Sequence, residues 1–433
     1  MGFHSGAMTK RTLLVPCSAK TILGLLVCVL AAGCHETVAR PSAATPSATP
    51  PSATIGGDIP ARASSDRRDP AASPPGGLTP AQVPLFVVFG FDDNGISGVD
   101  GSGGLRYVNE QFRRQKNPPG RGNRATFDGT PAHFTLYGLS RNVADKDVDQ
   151  PENVKREWHA AYAAGNELAI HTATHPHGRE LSVAEWEREL TTCKKWMTKP
   201  FEPSNAASPD TGIGVPAYEL VGFRTPYLEY NDNTFEAMAR FGLRYDCSIE
   251  EGWQDGQNGT DYLWPYTLDQ GSPGNAASGA GEPVPKVTSH PGLWELPAYA
   301  FIVPPDELCD AYAAPKGLRD RMKKAQVYFD TASGKITGLD WNLWIEFGMT
   351  KAEFVATLKH TLDLRLAGNR APLTVGMHSD IYSTHYPENT PFSTAKERQE
   401  ALRAVLEYAL GKPEVRVTSA KELLGWLRQP AAL

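Results

Sequence analysis

The sequence predicts an α/β protein built on a parallel sheet, and three observations carry that prediction. Short apolar runs alternate with helical patterns from about residue 83 to the end. Ser182, Thr350, Thr394 and Ser419 each stand three residues before a glutamate, the spacing of a reciprocal helix cap. Polar, chemically active residues follow directly on the apolar runs, where α/β folds place their sites. Strand–helix alternation favours a parallel sheet. One domain of about 350 residues is within reach of an α/β barrel.

The amino-terminal end reads as a targeting segment. Lys10, Arg11 and Lys20 make a basic start, with Met8 an alternative initiator just before it. The apolar stretch from Ile22 to Ala32 suits a signal core and is too short to span a bilayer. It ends in Leu30-Ala-Ala-Gly-Cys34, which resembles a bacterial lipoprotein processing box with Cys34 as the lipidated residue. Residues 1–33 are therefore expected to be a lipoprotein signal peptide, and Cys34 a membrane anchor in the cell envelope. His35 and Glu36 follow, with no Asp in second place, so periplasmic or surface-facing placement on the outer membrane is the expectation.

Residues 34–82 are rich in Pro, Ala, Ser and Thr. Such composition buries too little apolar surface to offset ordering entropy, so a disordered linker is expected. The formal charge is −6 and no basic run is present. Nucleic acid is excluded as a partner on that ground. Cys193, Cys247 and Cys309 lie in the domain, and an odd number allows at most one disulfide among them.

The domain is expected over 83–430. Candidate strands are 85–91, 132–138, 167–171, 220–224, 244–248, 293–297, 373–378 and 415–418. Gly165 and Gly411 stand where helices should stop. The stretches 114–130, 201–219 and 269–291 are rich in Gly, Pro, Ser and Ala and read as surface insertions.

Chemistry concentrates at four strand ends. Asp92 and Asp93 end the run from Leu85, and His171 and His175 follow Leu168-Ala-Ile170. One carboxylate and two histidines form a three-ligand set that leaves positions open, as catalytic zinc requires. The other carboxylate is then free to take a proton from attacking water. Arg224, in Phe223-Arg-Thr-Pro-Tyr227, is placed to hold a carboxylate, although a lone Arg is more often a structural ion pair. His378 ends Leu373-Thr-Val-Gly-Met377 and becomes a candidate general acid if it converges on the ligand set. His177 and His385 read as loop residues. Trp253, Trp264, Trp294, Trp341 and Trp344 fit either a sugar-stacking groove or ordinary packing. Asn258-Gly-Thr260 has the form of a glycosylation sequon, which carries little weight because the lipoprotein resemblance implies bacteria.

In order, these motifs resemble those of the polysaccharide deacetylase family (NodB homology, carbohydrate esterase family 4). Gly90-Phe-Asp-Asp-Asn94 matches Thr-Phe-Asp-Asp-Gly, and His171-Thr-Ala-Thr-His175 matches His-Ser/Thr-x-x-His. Arg224-Thr-Pro-Tyr227 and Val375-Gly-Met-His378 match the family's Arg-x-Pro-Tyr/Phe and its terminal strand histidine. Tyr245-Asp-Cys-Ser-Ile249 and His290-Pro-Gly-Leu-Trp294 are similar to the longer, chitin-deacetylase-like branch.

The resemblance implies a distorted (β/α)7-type barrel with loop insertions. It implies a divalent metal on Asp93, His171 and His175: Zn²⁺ first, with Co²⁺ or another divalent ion as alternatives. Asp92 is then the general base, Arg224 its orienting partner, the Tyr227 backbone N–H an oxyanion donor and His378 the general acid. For the carboxylate that polarises His378, Asp340, beside Trp341, is the first candidate and Asp380 the other. The implied reaction is hydrolysis of N-acetyl groups on N-acetylglucosamine-containing polysaccharide by a monomeric enzyme. A glycan-binding protein without catalysis and a small-amide hydrolase are the alternatives.

Overall fold

The computed structural model describes residues 66–146, 149–273, 285–386 and 390–433. The expected signal peptide, Cys34 and the linker up to residue 65 lie outside the described residues. Among the described residues no helix is long and apolar enough to cross a membrane.

Nine strands form the main sheet: β1 Leu85–Asp92, β2 Thr135–Gly138, β3 Glu167–Ile170, β4 Gly222–Phe223, β5 Tyr245–Asp246, β6 Tyr266–Thr267, β7 Trp294–Glu295, β8 Leu373–His378 and β9 Val415–Val417. Their order is β8-β1-β2-β3-β4-β5-β7-β6, and β9 pairs with the first residues of β1. Every pairing is parallel except β6 on β7. The eight expected strands are thus all present, several shorter than the apolar runs that signal them. β6 is the strand that its sequence does not announce, being two residues long.

The sheet curls as a barrel does. The segment after β7 reaches β8 by side chain rather than by a regular ladder: Thr374 Oγ1 donates to the Pro297 carbonyl at 2.5 Å. The Gly376 N–H meets the Gly338 carbonyl at 2.9 Å. The barrel is closed unevenly there, which is the expected distortion.

Alternation along the strands sorts their side chains. Leu85, Val87, Phe89 and Phe91 join the large core with α1 (Gly104–Arg113), where Phe89, Phe91, Phe112 and Phe134 pack edge-on at 4.8–6.0 Å between centroids. Phe86 and Val88 face a second cluster with Tyr137 and Tyr245. Gly90 and Asp92 continue that second face. At Gly90 an added Cβ would stand 2.7 Å from the Tyr137 ring and 3.1 Å from Arg224 Nη1, so the glycine makes room for the arginine.

The helices begin where their caps predict. α2 is Pro151–Ala163 and α3 Val183–Thr198, capped by Ser182; α4 is Asp232–Phe241, and α5, Lys351–Ala367, is capped by Thr350. α6, Ala395–Leu410, is capped by Thr394, and α7, Ala420–Arg428, by Ser419. All four capping boxes are complete. Gly165 adopts φ 93 just past α2, as a stop requires.

Two expectations need correction. Residues 66–82, assigned by composition to the linker, lie on the domain. The Trp264 N–H donates to the Ala71 carbonyl and the Thr267 N–H to the Arg68 carbonyl, each at 2.9 Å. Asn369 Nδ2 meets the Ala72 carbonyl at 2.6 Å, and Arg428 pairs with Asp66 at 2.7 Å. Main-chain groups make two of these bonds, so a low-hydrophobicity sequence still docks. The stretch 114–130 is also no mere surface insertion. Asp128 and Arg416 form a buried ion pair at 2.5 Å, and Asn117 bonds the N–H and carbonyl of Val417. Cys193, Cys247 and Cys309 are buried and unbridged, so the one allowed disulfide is not made among them.

Candidate metal centre and active site

Register brings the site together. Asp92 and His378 are direct partners across β1 and β8, and His171 follows β3 two strands away. Past Asp92 the chain turns sharply: Asp93 and Asn94 both have φ 64. Asn94 supports that turn from within. Its Nδ2 donates to the carbonyls of Phe91 at 2.7 Å and Tyr137 at 3.1 Å. Asn tolerates the left-handed region better than most residues, which accounts for an Asn where the family pattern has Gly.

The turn presents Asp93 to the two histidines. Asp93 Oδ1 lies 3.3 Å from His175 Nε2 and 3.6 Å from His171 Nε2. Oδ1 is buried and has no hydrogen-bonding partner, an expensive state for a carboxylate oxygen. His171 Nδ1 contacts the Arg224 carbonyl at 2.8 Å, which fixes the tautomer and leaves Nε2 free as an acceptor. Burial pushes both histidines toward neutrality, His175 to about 4 and His171 well below its ordinary value. Burial likewise lifts Asp93 to about 7. Neutral imidazoles and a carboxylate short of positive charge are what a divalent ion needs. The residues present fit the implied metal.

The histidine loop is held by a residue without a sequence signal. Glu189, on α3, accepts the N–H groups of Ala173 and Thr174 at 2.8 and 2.9 Å and the Thr174 hydroxyl at 2.8 Å. Thr172 and His175 take φ 73 and 59 within that loop.

Beside the ligands lies a buried pair. Asp92, 3% exposed, accepts from Arg224 Nη1 at 2.9 Å. Arg224 also donates from Nε to the Cys247 carbonyl at 3.1 Å and lies over the Tyr137 ring at 4.3 Å. Burial raises the Asp92 carboxyl, against the pull of Arg224 and His378. Arg224 and Asp92 are thus in direct contact.

On the other side, His378 Nδ1 meets Asp340 Oδ1 at 2.8 Å, and its backbone N–H meets Oδ2 at 3.1 Å. Tyr382 Oη adds a third bond to Asp340 at 3.0 Å. Burial disfavours the imidazolium, but Asp340, with Asp93 and Asp92 nearby, raises His378 to about 10. The choice between the two carboxylates therefore falls on Asp340. Asp380 instead accepts the N–H groups of Gly95 and Ile96 at 3.0 and 2.8 Å.

Tyr227 has φ 58, and among the described residues no acceptor meets its N–H. Its ring stands edge-on to His175 and stacks on His177, each at 4.4 Å. Of the five tryptophans, Trp264, Trp294 and Trp344 are buried and belong to the core. Trp341, beside Asp340, is 37% exposed. Cys34 lies outside the described residues.

Asp92 held by Arg224, His378 held by Asp340 and the three-residue set of Asp93, His171 and His175 thus gather at one end of a curled parallel sheet. Residues 125–245 match the family model described as polysaccharide deacetylase. Solved structures of similar shape include an inferred polysaccharide deacetylase from Mycobacterium smegmatis. It is 15% identical, with a TM-score of 0.47, covering 84% of this chain and 98% of that one. A family 4 carbohydrate esterase from Streptomyces lividans in complex with acetate is 14% identical, with a TM-score of 0.35, covering 80% and 96%. No curated protein matches.

Proposed function

We propose that this protein is a metal-dependent N-deacetylase of N-acetylglucosamine-containing polysaccharide. The observation that carries this reading is the Asp93–His171–His175 set, with an orphaned buried oxygen, flanked by Asp92 on Arg224 and His378 on Asp340. A divalent ion held there supplies Lewis acidity toward an acyl oxygen and a water. Asp92 takes the proton from the attacking water as its oxygen bonds to the acetyl carbon. The Tyr227 N–H, with no acceptor among the described residues, is available to the developing oxyanion. His378 gives its proton to the departing nitrogen as the C–N bond breaks, leaving acetate and a free amine.

The anchor follows from the sequence alone. Lipidation at Cys34 would hold a monomeric domain in the cell envelope, on the outer membrane, near polymer. Cys34→Ala is expected to shift the protein from the membrane pellet to the soluble fraction; unchanged pelleting with normal processing counts against the lipid.

The main experiment measures acetate release from chitin oligomers, peptidoglycan and an N-acetylglucosamine exopolysaccharide, alongside elemental analysis of wild type and His175→Ala. Release from at least one polymer, with one ion per wild-type chain and loss of the ion in the variant, is expected. Release only from small amides selects the small-amide hydrolase, and no release with glycan retained selects the binding protein.

A further inference from the structure

The loop after β5 grips the Arg224–Tyr227 turn in two places. The first is the Arg224 side chain, through the Cys247 carbonyl and, at 3.3 Å, the Cys247 sulfur. The second is the turn's main chain: the Thr225 N–H donates to Ser248 Oγ at 2.9 Å. Ser248 is itself pinned by Asp246, whose Oδ1 accepts the Ser248 hydroxyl at 2.9 Å and whose Oδ2 accepts its N–H at 2.8 Å. Asp246 and Ser248 are both fully buried. Among the described residues no hydrogen bond joins either of them to the ligand set or to Asp92.

What they hold is strained. Tyr227 and Leu228 take φ 58 and 55 in succession, a conformation that costs non-glycine residues energy and persists only when neighbours over-determine it. Inside the turn, the Leu228 N–H reaches the Thr225 carbonyl at 3.3 Å and the Glu229 N–H the Pro226 carbonyl at 2.9 Å. Pro226 has no N–H to donate, so the Thr225 N–H is the last main-chain donor before Tyr227. Ser248 accepts it.

We infer that Asp246 and Ser248 are positioning residues that aim the Tyr227 N–H, by fixing Thr225 through one continuous hydrogen-bond chain. The inference rests on the deacetylase reading. An oxyanion donor acts only where charge develops, so its displacement lowers kcat and leaves ground-state binding intact. The hydroxyl fixes the turn only while Asp246 holds it, so the two residues act as one unit.

Steady-state kinetics on the best polymer substrate, with metal content measured on each variant, test this. Ser248→Ala is expected to lower kcat about ten- to a hundredfold, with KM changed less than about threefold and one ion retained. Asp246→Asn is expected to do the same, and the double variant to be no worse than either single one, because coupled residues are not additive. Ser248→Thr keeps the oxygen and is expected to recover most of the loss. If Ser248→Ala does not fold, Asp246→Asn carries the same kcat-against-KM criterion. A loss confined to KM, additive losses, or kcat within about threefold of wild type overturns the inference. Asp92→Asn is run in parallel: if it stays active, the deacetylase mechanism itself fails, whereas an inactive Asp92→Asn beside an unaffected Ser248→Ala refutes the positioning chain alone.

Discussion

The two ends of the barrel strands are built on different terms. At the carboxyl ends, Asp93, Asn94, Thr172, His175, Tyr227 and Leu228 all hold positive φ within three loops. Buried carboxylates crowd there, and Asp93 Oδ1 has no hydrogen-bonding partner among the described residues. The amino ends also contain left-handed residues, Phe127 and Arg370. There Arg370 donates to the Val83 carbonyl at 2.9 Å and Asp128 meets Arg416, while Arg365 Nε and Nη2, buried against the Tyr262 ring, have no hydrogen-bond acceptor among the described residues. Residues 66–82 then cover that end with main-chain hydrogen bonds. Strain alone does not mark the site. What sets the carboxyl ends apart is that the unanswered atom is a carboxylate oxygen grouped with two imidazoles, a set that a divalent ion would satisfy.

The contrast is broken most severely at Asp92. Asp92→Asn is expected to lower turnover about 10²–10⁴-fold, the range for a positioned general base, while the ion stays bound. Elemental analysis beside the rate measurement checks both halves. Turnover within about tenfold of wild type would remove Asp92 from the role of base.

Asp340→Asn comes next, at about a hundredfold in kcat. It also carries a pH signature. His378 is raised to about 10 chiefly by Asp340, and it donates only while protonated. Removing that charge lets burial pull the imidazole down. The alkaline limb of the kcat profile should therefore move to lower pH. A limb that stays in place would mean that another group sets it.

The smallest effect belongs to the covered end. A chain beginning at residue 78 loses the Arg68, Ala71 and Ala72 hydrogen bonds and the Asp66–Arg428 pair. At about 1 kcal/mol per hydrogen bond, the domain should lose on the order of 3 kcal/mol and several degrees of Tm, with kcat unchanged. Thermal unfolding and acetate release on the same sample separate the two. A fall in kcat at unchanged Tm would tie the amino end of the strands to the chemistry.

Much of the site is legible because it is local. Asp92 and Asp93 are adjacent, and His171 and His175 share one loop, so apolar runs ending in polar residues suffice to find them. The helix caps are equally local: a serine or threonine three residues before a glutamate decides a start whatever the fold. Glu189 and Ser248 carry no such signal. Each acts on a main-chain N–H of a loop distant in sequence, and any buried carboxylate or hydroxyl reads alike before the strands are arranged.

The sequence was sufficient for strand order of chemistry, helix starts and ligand types, since these depend on neighbours within about four residues along the chain. It favoured Asp340 over Asp380 as partner of His378 without deciding between them, and it placed residues 66–82 in a linker. Both were decided by the curled sheet. Curling brings the segment carrying Asp340 against the end of β8, through the Gly338 carbonyl and the Gly376 N–H, and so delivers a carboxylate 38 positions away to the His378 ring. It also leaves main-chain groups beside β6 and β8 that residues 66–82 satisfy. Composition registers side-chain hydrophobicity, whereas this docking runs largely through the backbone, which every residue carries alike.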